Sequence, residues 1–370
     1  RVGGRLGSIY ENGYIFDIGF QVFNTSYEIT KQYLNLKQLD LHFFKPGSAI
    51  YSDKKFTIIS DPLRDFGQVF NTLFSKIPTV ADKMRILKLK ISLFNYVIEE
   101  DKSEDLETIV FLKEYGFSEN MISQFFLPFF AGIFLENKLS TSSKFFKYIF
   151  SKFGKGLASL PSNGMQEIPK NMLRRVDREK VFLNFEVEHI SKDKKVKLKD
   201  GTTIAPSKIV FTGKSQNLIN NKLVNYNSVK TLYFNSNVIP DYSNYIHIFP
   251  QEKLINNIAF LTSISKRYSE NNDNLISVSI IKENNISDSK LITHIKDRLE
   301  NIYGGNFNFL KNFNIEQATI KQPVQYFDQK YNLSINDKYY LAGDNLVHGS
   351  IEGAAISGTK VAKELKCFFS

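Results

Sequence analysis

Near its C-terminus the chain reads Tyr339-Tyr340-Leu341-Ala342-Gly343-Asp344, then a loop through His348, Gly349 and Ser350, then Ile351-Glu352-Gly353-Ala354-Ala355-Ile356-Ser357-Gly358. The first run predicts a strand with Asp344 at its end, and the third opens a helix expected over about 350–365. A helix N-terminus presents unpaired N–H groups and a partial positive charge, so an anionic ligand is favoured there. Gly349 lets such a ligand approach the backbone closely. An acid at a strand end can accept hydrogen bonds from ribose or ribityl hydroxyls. Gly353, Ala354, Ala355, Ser357 and Gly358 thin one face of the helix, and close helix–sheet packing accounts for them as well as a ligand does.

At the other end, Arg1-Val2-Gly3-Gly4-Arg5 sets a guanidinium beside two residues without side chains, an arrangement that suits diphosphate oxygens. A surface turn with a solvated arginine explains the same five residues and, taken alone, is the simpler reading. The five histidines, His42, His189, His247, His294 and His348, show no metal-ligand spacing, and most read as satisfied or solvent-facing. His348 is the weak catalytic candidate, an acid/base or substrate-binding group by its loop position, although a solvated loop histidine is the plainer expectation. Phe125, Phe126, Phe129, Phe130 and Phe134 could line an apolar channel; helix core is the plainer role for at least half of them. The single cysteine, Cys367, excludes an intrachain disulfide and a multi-cysteine metal site and fits a reducing compartment.

Mixed periodicities surround these residues. Asn12-Gly13 between Ser8–Glu11 and Tyr14–Asp17 predicts a tight hairpin, and Ala49–Ile59 a second one around Ser52–Lys55. Residues from about Tyr27 to Leu36 read as helix. From Pro62 to about Phe153 apolar residues recur at helical spacing, as at Met84, Ile86, Leu87, Leu89, Ile91, Leu93 and Phe94, which predicts about five helical segments. Gly154-Lys155-Gly156 and Pro161–Gly164 close that block, and a helix follows over about 165–176. Val181–Val187, Val196–Leu198 and Lys208–Phe211 read as short strands, 229–281 as strand-rich, and 289–302 as a helix with Leu291, Ile292, Ile295 and Leu299 on one face. Past Gly304-Gly305, Gln317–Ile320 reads as extended.

The 370 residues are 42% hydrophobic and 23% charged, the balance of a folded chain of about two domains. With 33 Phe, 18 Tyr and no Trp, any apolar pocket is lined by phenylalanine and tyrosine. The net charge of +10 is spread along the sequence, which argues against a nucleic-acid partner and leaves peripheral membrane contact open. No apolar run reaches the length of a membrane span. A cytoplasmic protein, soluble or peripherally membrane-associated, is expected, and a sequence starting at Arg1 leaves targeting unjudged.

Four of these pieces stand in the order found in one superfamily. Arg1 to Phe20, with Gly3-Gly4-Arg5 and Gly13-Tyr-Ile-Phe-Asp-Ile-Gly19, resembles the segment after the second strand of flavin amine oxidases, protoporphyrinogen oxidases and phytoene desaturases. Tyr340–Asp344 with Gly349–Gly358 resembles their C-terminal FAD motif. Leu160–Met165 with Ile168-Pro169 is similar to their proline-glycine-methionine opening of a helix, and Glu186-Val187, Asp200-Gly201 and Ile209-Val210 resemble their adenine-side strands. Asp17–Val22, Asp61–Leu63, Pro128–Phe134 and Ser140–Ser143 further resemble bacterial and plastid proteins described only as FAD-dependent or phytoene-desaturase-like oxidoreductases, a resemblance that supplies no substrate.

The resemblance implies an α/β (α+β) fold, an FAD/NAD(P)-binding Rossmann-like domain with a second mixed sheet-and-helix substrate domain. The FAD domain would take 1–45, 154–215 and 335–370, and the substrate domain, with its helical cap, 46–153 and 216–334. FAD would be held noncovalently. Gly3, Gly4 and Arg5 would lie along the diphosphate, Val187 would touch the adenine through its backbone, and Gly343 and Asp344 would hold the ribityl chain. Ile351 and Glu352 would sit near the pyrimidine edge of the flavin, Gly349 and Ser350 would also bind the cofactor, and Gly19, Phe20 and Gln21 would pass beside the isoalloxazine. The implied reaction oxidises a C–H or C–N bond of an apolar organic small-molecule substrate by hydride transfer to flavin, with dioxygen, a quinone or a nicotinamide as electron acceptor. A non-catalytic FAD-binding scaffold is the alternative, and no oligomeric state is implied. The superfamily's Gly-x-Gly-x-x-Gly turn and ribose-binding acid precede its Gly-Gly-Arg; these 370 residues contain neither, so a chain starting at Arg1 is expected to hold FAD poorly.

Overall fold

The computed structural model of the protein describes residues 1–60, 77–219, 224–281, 286–329 and 332–369. Its largest element is a seven-stranded sheet in the spatial order Phe307–Ile320, Tyr226–Ser236, Asn274–Ile280, Ile255–Phe260, Ile246–Ile248, Gly47–Ser52, Lys55–Ser60. Every pairing is antiparallel except that of Ile246–Ile248 with Gly47–Ser52. Strand side chains alternate between faces, so each run of β-branched and aromatic residues serves two environments. On one face Leu232, Phe234, Ile258, Ile276 and Val278 pack against Leu291, Ile295 and Leu299 of the helix Asp288–Tyr303. On the other, Ile50, Ile59 and Ile248 join the helical block, while Tyr233 and Ala259 join the N-terminal hairpin.

The helical block comprises Val80–Ser92, Thr108–Glu114, Leu127–Phe134 and Ser143–Lys155, with a π-helical turn at Ile122–Phe126. Phe126, Phe130, Phe134, Phe145 and Phe146 are buried together, and the rings of Phe130 and Phe146 lie 4.7 Å apart. Core packing is therefore the role of most of the phenylalanine-rich segment. Thr79 and Asp82 form a reciprocal capping box at the first of these helices, and Asp82 also accepts hydrogen bonds from the backbone and hydroxyl of Ser118.

The remaining elements are smaller. The predicted hairpin Ser8–Glu11/Tyr14–Asp17 is present, and Phe23–Asn24, Ala158–Pro161 and Leu41–Phe43 form a three-stranded sheet. Val187–Ile190, Val196–Leu198 and Thr203–Ile204 make another, and Ile209–Thr212 runs parallel to Tyr339–Ala342, which leads towards the C-terminal helix Ile351–Phe369.

Two expectations need correction. Tyr27–Leu36 is not one helix but the end of a turn followed by Glu28–Gln32 and then Leu36–Leu39, because Asn35 turns its side chain to accept from the Gln38 N–H and caps the second piece. The strand read over Val181–Val187 begins only at Val187, where the ladder to Leu198 starts; Phe182, Leu183 and Phe185 are exposed. The strand expected over Lys208–Phe211 is present as Ile209–Thr212. Asp61–Leu63 and the predicted start of the helical block at Pro62 lie outside the described residues. Among the described residues no helix is long and apolar enough to cross a membrane.

Candidate functional site

The buried strand Tyr339–Ala342 ends at Gly343, whose N–H donates to Ser357 Oγ (2.9 Å), and Gln216 holds the carbonyl of Ala342 (2.9 Å). Asp344 follows directly. Its Oδ1 accepts from the Arg5 guanidinium at 2.5 Å, so residues 339 positions apart meet at one place. Arg5 is positioned by the turn in which the Leu6 N–H donates to the Gly3 carbonyl (2.9 Å), a turn that needs positive φ at both Gly3 and Gly4. The guanidinium also lies 5.7 Å from the centre of the Tyr226 ring. Two groups read from the sequence as separate sites, one for phosphate and one for hydroxyls, thus form a single cation–carboxylate pair.

Beside this pair the C-terminal helix starts with Ser350, whose Oγ accepts the Gly353 N–H (2.9 Å), while the Gly349 N–H donates to Gln322 (2.9 Å). The first-turn N–H groups of Ile351 and Glu352 have no acceptor inside the helix. The Glu352 side chain turns away from solvent. Its carboxylate accepts from the Ile29 N–H (2.8 Å), the Thr30 N–H (2.9 Å) and the Thr30 hydroxyl (2.6 Å), capping the helix Glu28–Gln32, which has no side-chain cap of its own. Any contact of Glu352 with a ligand falls to its backbone.

His348 is not the solvated loop histidine expected from its neighbours. It is 3% exposed, its ring centre lies 4.2 Å from that of Tyr148, and Nδ1 is 2.9 Å from Ser350 Oγ. Burial, followed by the charge of Lys152, holds its pKa down at about 3. A neutral imidazole packed under the helix start positions Ser350 and has no imidazolium proton to give. The helix passes so close that a Cβ on Gly353 would lie 2.0 Å from the His348 carbonyl oxygen. Packing therefore explains Gly353, and also Ser357, which is buried on Gly343; Gly358, with no atom within 4 Å of its Cβ position, is open.

Gly19 takes φ +86°, and a Cβ there would lie 2.8 Å from Ile315 Cδ1 and 4.0 Å from Thr231 Oγ1, both on the large sheet. Gln21 donates to the carbonyls of Arg5 (3.1 Å) and Ile18 (3.2 Å), tying this segment to the Gly-Gly-Arg turn. Phe20 sets its ring edge-on to Phe44 at 6.0 Å. Two residues before Gly19 stands a group not singled out from the sequence. Buried Asp17 accepts from Ser8 Oγ (2.5 Å), the Met165 N–H (2.8 Å) and Tyr268 OH (2.7 Å), and its carbonyl accepts from Tyr233 OH (2.7 Å). Burial raises its pKa against those three hydrogen bonds. Its only sequence signal is an acid in the last place of an otherwise apolar strand. Val187 stands in the separate antiparallel sheet, in register with Leu198.

On the sheet face beside Gly19, Thr231, Ser279 and Asn257 stand side by side on adjacent strands. They are buried, yet Thr231 Oγ1 and Asn257 Nδ2 have no hydrogen-bond partner among the described residues. An unmatched buried polar group costs about 1–3 kcal/mol, so both atoms call for a hydrogen bond from a water or a ligand. The Arg5 fork, the open backbone at Gly4, the Asp344 carboxylate and the first-turn N–H groups supply donors for anionic oxygens and an acceptor for hydroxyls. These residues fit a flavin nucleotide. Among the described residues no three His, Cys, Asp or Glu side chains are grouped to hold a metal.

The helices and sheets around this site, with one large mixed sheet, define a fold of the mixed α/β (α+β) class. The chain belongs to the family of flavin containing amine oxidoreductases, whose model matches residues 1–366. It is accordingly a flavin-dependent oxidoreductase. Its fold is similar to that of a protein described as a protoporphyrinogen oxidase from Exiguobacterium sp. 255-15, with a TM-score of 0.72 and 12% identity over 99% of this chain and 91% of that one. It is also similar to an oxidoreductase from Methanosarcina mazei (TM-score 0.70, 14% identity, 98% and 92% covered) and to putrescine oxidase bound to putrescine (TM-score 0.69, 11% identity, 99% and 92% covered). No curated protein sequence matches the chain.

Proposed function

We propose that the full-length protein holds FAD noncovalently and oxidises a C–H or C–N bond of an organic small molecule. Bound flavin would supply the hydride acceptor. The observation that carries this reading is the Arg5–Asp344 pair at the start of the small-residue helix, where one cation, one carboxylate and unpaired N–H groups converge. Arg5 and the backbone of Gly3 and Gly4 would bind phosphate oxygens, Asp344 a ribityl hydroxyl, and the N–H groups of Ile351 and Glu352 the pyrimidine edge of the ring. Gln21 holds the Arg5 turn against the Gly19–Phe20 segment, which faces the sheet.

The substrate would lie between that segment and the sheet face. Phe20 and Phe313 make its surroundings apolar, and Thr231 and Asn257 add hydrogen-bonding groups that need a partner. We therefore assign a largely apolar substrate with at least one hydroxyl, carbonyl or amine to match them. Dioxygen, a quinone or a nicotinamide would reoxidise the flavin. A neighbour of similar fold is a putrescine oxidase bound to putrescine, an amine, which favours amines in the first substrate panel.

Asp344→Ala should weaken flavin retention about tenfold to a hundredfold, the loss of a charged-group hydrogen bond of about 1.5–3 kcal/mol. The matched control is Asp337→Ala, an exposed carboxylate paired with Lys194. Asp328 is a poor control because it neutralises the buried Lys144 at 2.8 Å. Equal flavin-to-protein absorbance in the two variants would remove the assignment of Asp344. Acid precipitation should release the yellow chromophore into the supernatant, and colour retained in the pellet would overturn noncovalent binding. A holoprotein that no member of an amine and alcohol panel bleaches under anaerobic conditions would favour the non-catalytic scaffold instead.

A further inference from the structure

The helix Val80–Ser92 has two apolar faces. At about 100° per residue, Val80, Met84, Leu87 and Ile91, with Phe94 two residues past the helix end, fall within an arc of about 80°. They are 78%, 63%, 44%, 68% and 58% exposed. The opposite face carries Leu89 and the adjoining Leu93, both buried in the core of the helical block with Ile98 and Leu112. Folding therefore uses one face and leaves the other, which is as apolar, on the outside.

The charges of this helix are as one-sided as its apolar residues. Lys88 stands on one flank of the outer stripe, with Arg85 beyond it, and Lys83 and Lys90 stand on the other. Its one acid, Asp82, is fully buried, and its carboxylate is engaged by Thr79 and Ser118. From the neighbouring helix Lys155 sets its ammonium 4.5 Å from the centre of the Phe94 ring. A helix with an apolar outer stripe, lysines on both flanks and no exposed acid has the composition of an interfacial helix, whose apolar side chains enter the acyl boundary while lysines reach the phosphates. An exposed stripe for a protein partner carries no such need for flanks of one sign.

We propose that this stripe docks the protein on an anionic lipid surface, with Met84, Ile91 and Phe94 as the inserted side chains and Lys88 and Lys155 at the level of the headgroups. The net charge of +10 adds long-range attraction to the same surface. Docking would set the helical block against lipid, and that block packs on the large sheet through Ile50 and Ile248. An apolar substrate or a quinone dissolved in the bilayer would then enter beside the protein's own core. The docking proposal stands on the helix alone and does not depend on the flavin reading.

The test is flotation of the purified protein with phosphatidylcholine vesicles that contain or lack phosphatidylglycerol. The protein should float with the anionic vesicles and less with the neutral ones. Met84→Ser/Ile91→Ser should reduce partitioning by about tenfold or more, Lys88→Glu should reduce it on anionic vesicles, and Ile239→Ser, an exposed apolar position elsewhere, should leave it unchanged. Because the substituted positions are exposed, thermal midpoints should stay at the wild-type value, which separates lost docking from lost fold. No flotation with either vesicle, or flotation that the double variant retains in full, would overturn the proposal. So would a concentration-dependent dimer that disappears in the double variant without any vesicle binding, which would assign the stripe to a second copy of the chain.

Discussion

Glu352→Ala should destabilise the protein by about 3–5 kcal/mol, a large share of the stability of an ordinary domain. The carboxylate is almost fully buried and serves three donors at once, the N–H groups of Ile29 and Thr30 and the Thr30 hydroxyl. Alanine would leave all three inside the protein without an acceptor, and unmatched buried donors cost more than a made hydrogen bond gains. The carboxylate also lies at two helix N-termini, that of Glu28–Gln32 and that of its own helix, and each favours a negative charge. Glu352→Gln keeps one acceptor oxygen but turns an NH2 towards an N–H, so its loss should be smaller than that of alanine and still well above 1 kcal/mol. Urea unfolding monitored at constant m-value reads both changes. Because the capped helix and the Ser350 turn share this one residue, flavin retention should fall along with stability. An alanine variant that unfolds within 1 kcal/mol of wild type would show that the carboxylate does not carry this junction.

Glu352 also shows where sequence reasoning stops. The strand Tyr339–Ala342, the helix after it, the Asn12-Gly13 hairpin and the helix Asp288–Tyr303 were legible because each rests on periodicity or turn chemistry within a few residues. Four short pieces in a fixed order were enough to indicate the family, since their order constrains more than any one of them. What was not legible depends on contacts distant in the chain. Nothing near Glu352 says that its partners are Ile29 and Thr30, and nothing near Arg5 says that it meets Asp344. Phe182 and Phe185 have the composition of a strand, yet a strand exists only where a partner ladder reaches it, which here starts at Val187. His348 looked solvated because its loop neighbours are small and polar, whereas the aromatic rings that bury it come from Phe145 and Tyr148 of another helix. The row Thr231, Ser279 and Asn257 is scattered over three strands and becomes a row only through their register.

Acidification from pH 7 to pH 5 should remove about 4 kcal/mol of stability through two buried histidines. His247 is fully buried, with Nε2 2.9 Å from the Tyr242 carbonyl and Nδ1 2.7 Å from Tyr303 OH. The carbonyl can only accept, so Nε2 carries the proton and Nδ1 accepts from the tyrosine, which defines a neutral ring. Burial lowers its pKa to about 4, and burial with the charge of Lys152 lowers that of His348 to about 3. In the unfolded chain both rings titrate near pH 6.5. At pH 7 the folded rings are neutral and the unfolded ones only about a quarter protonated, so the histidines cost little. Below pH 6.5 the unfolded state takes up two protons that the folded state refuses, so stability falls by about 1.4 kcal/mol per pH unit for each ring until its folded pKa is reached. The window is therefore pH 6.5 down to about 4 for His247 and about 3 for His348. Asp82 and Asp101, whose pKa values are lowered, add losses of the same sign only below the ordinary aspartate range. Asp17, raised by burial, works in the opposite direction, because the folded state takes up its proton first as pH falls. The variant His247→Gln/His348→Gln separates the contributions: it should be less stable at pH 7, yet its unfolding free energy should change far less than that of wild type between pH 7 and pH 5. If wild type and the double variant show the same pH dependence across that interval, the two imidazoles are not held neutral by burial, and the packing of His348 beneath Ser350 would have to be redrawn.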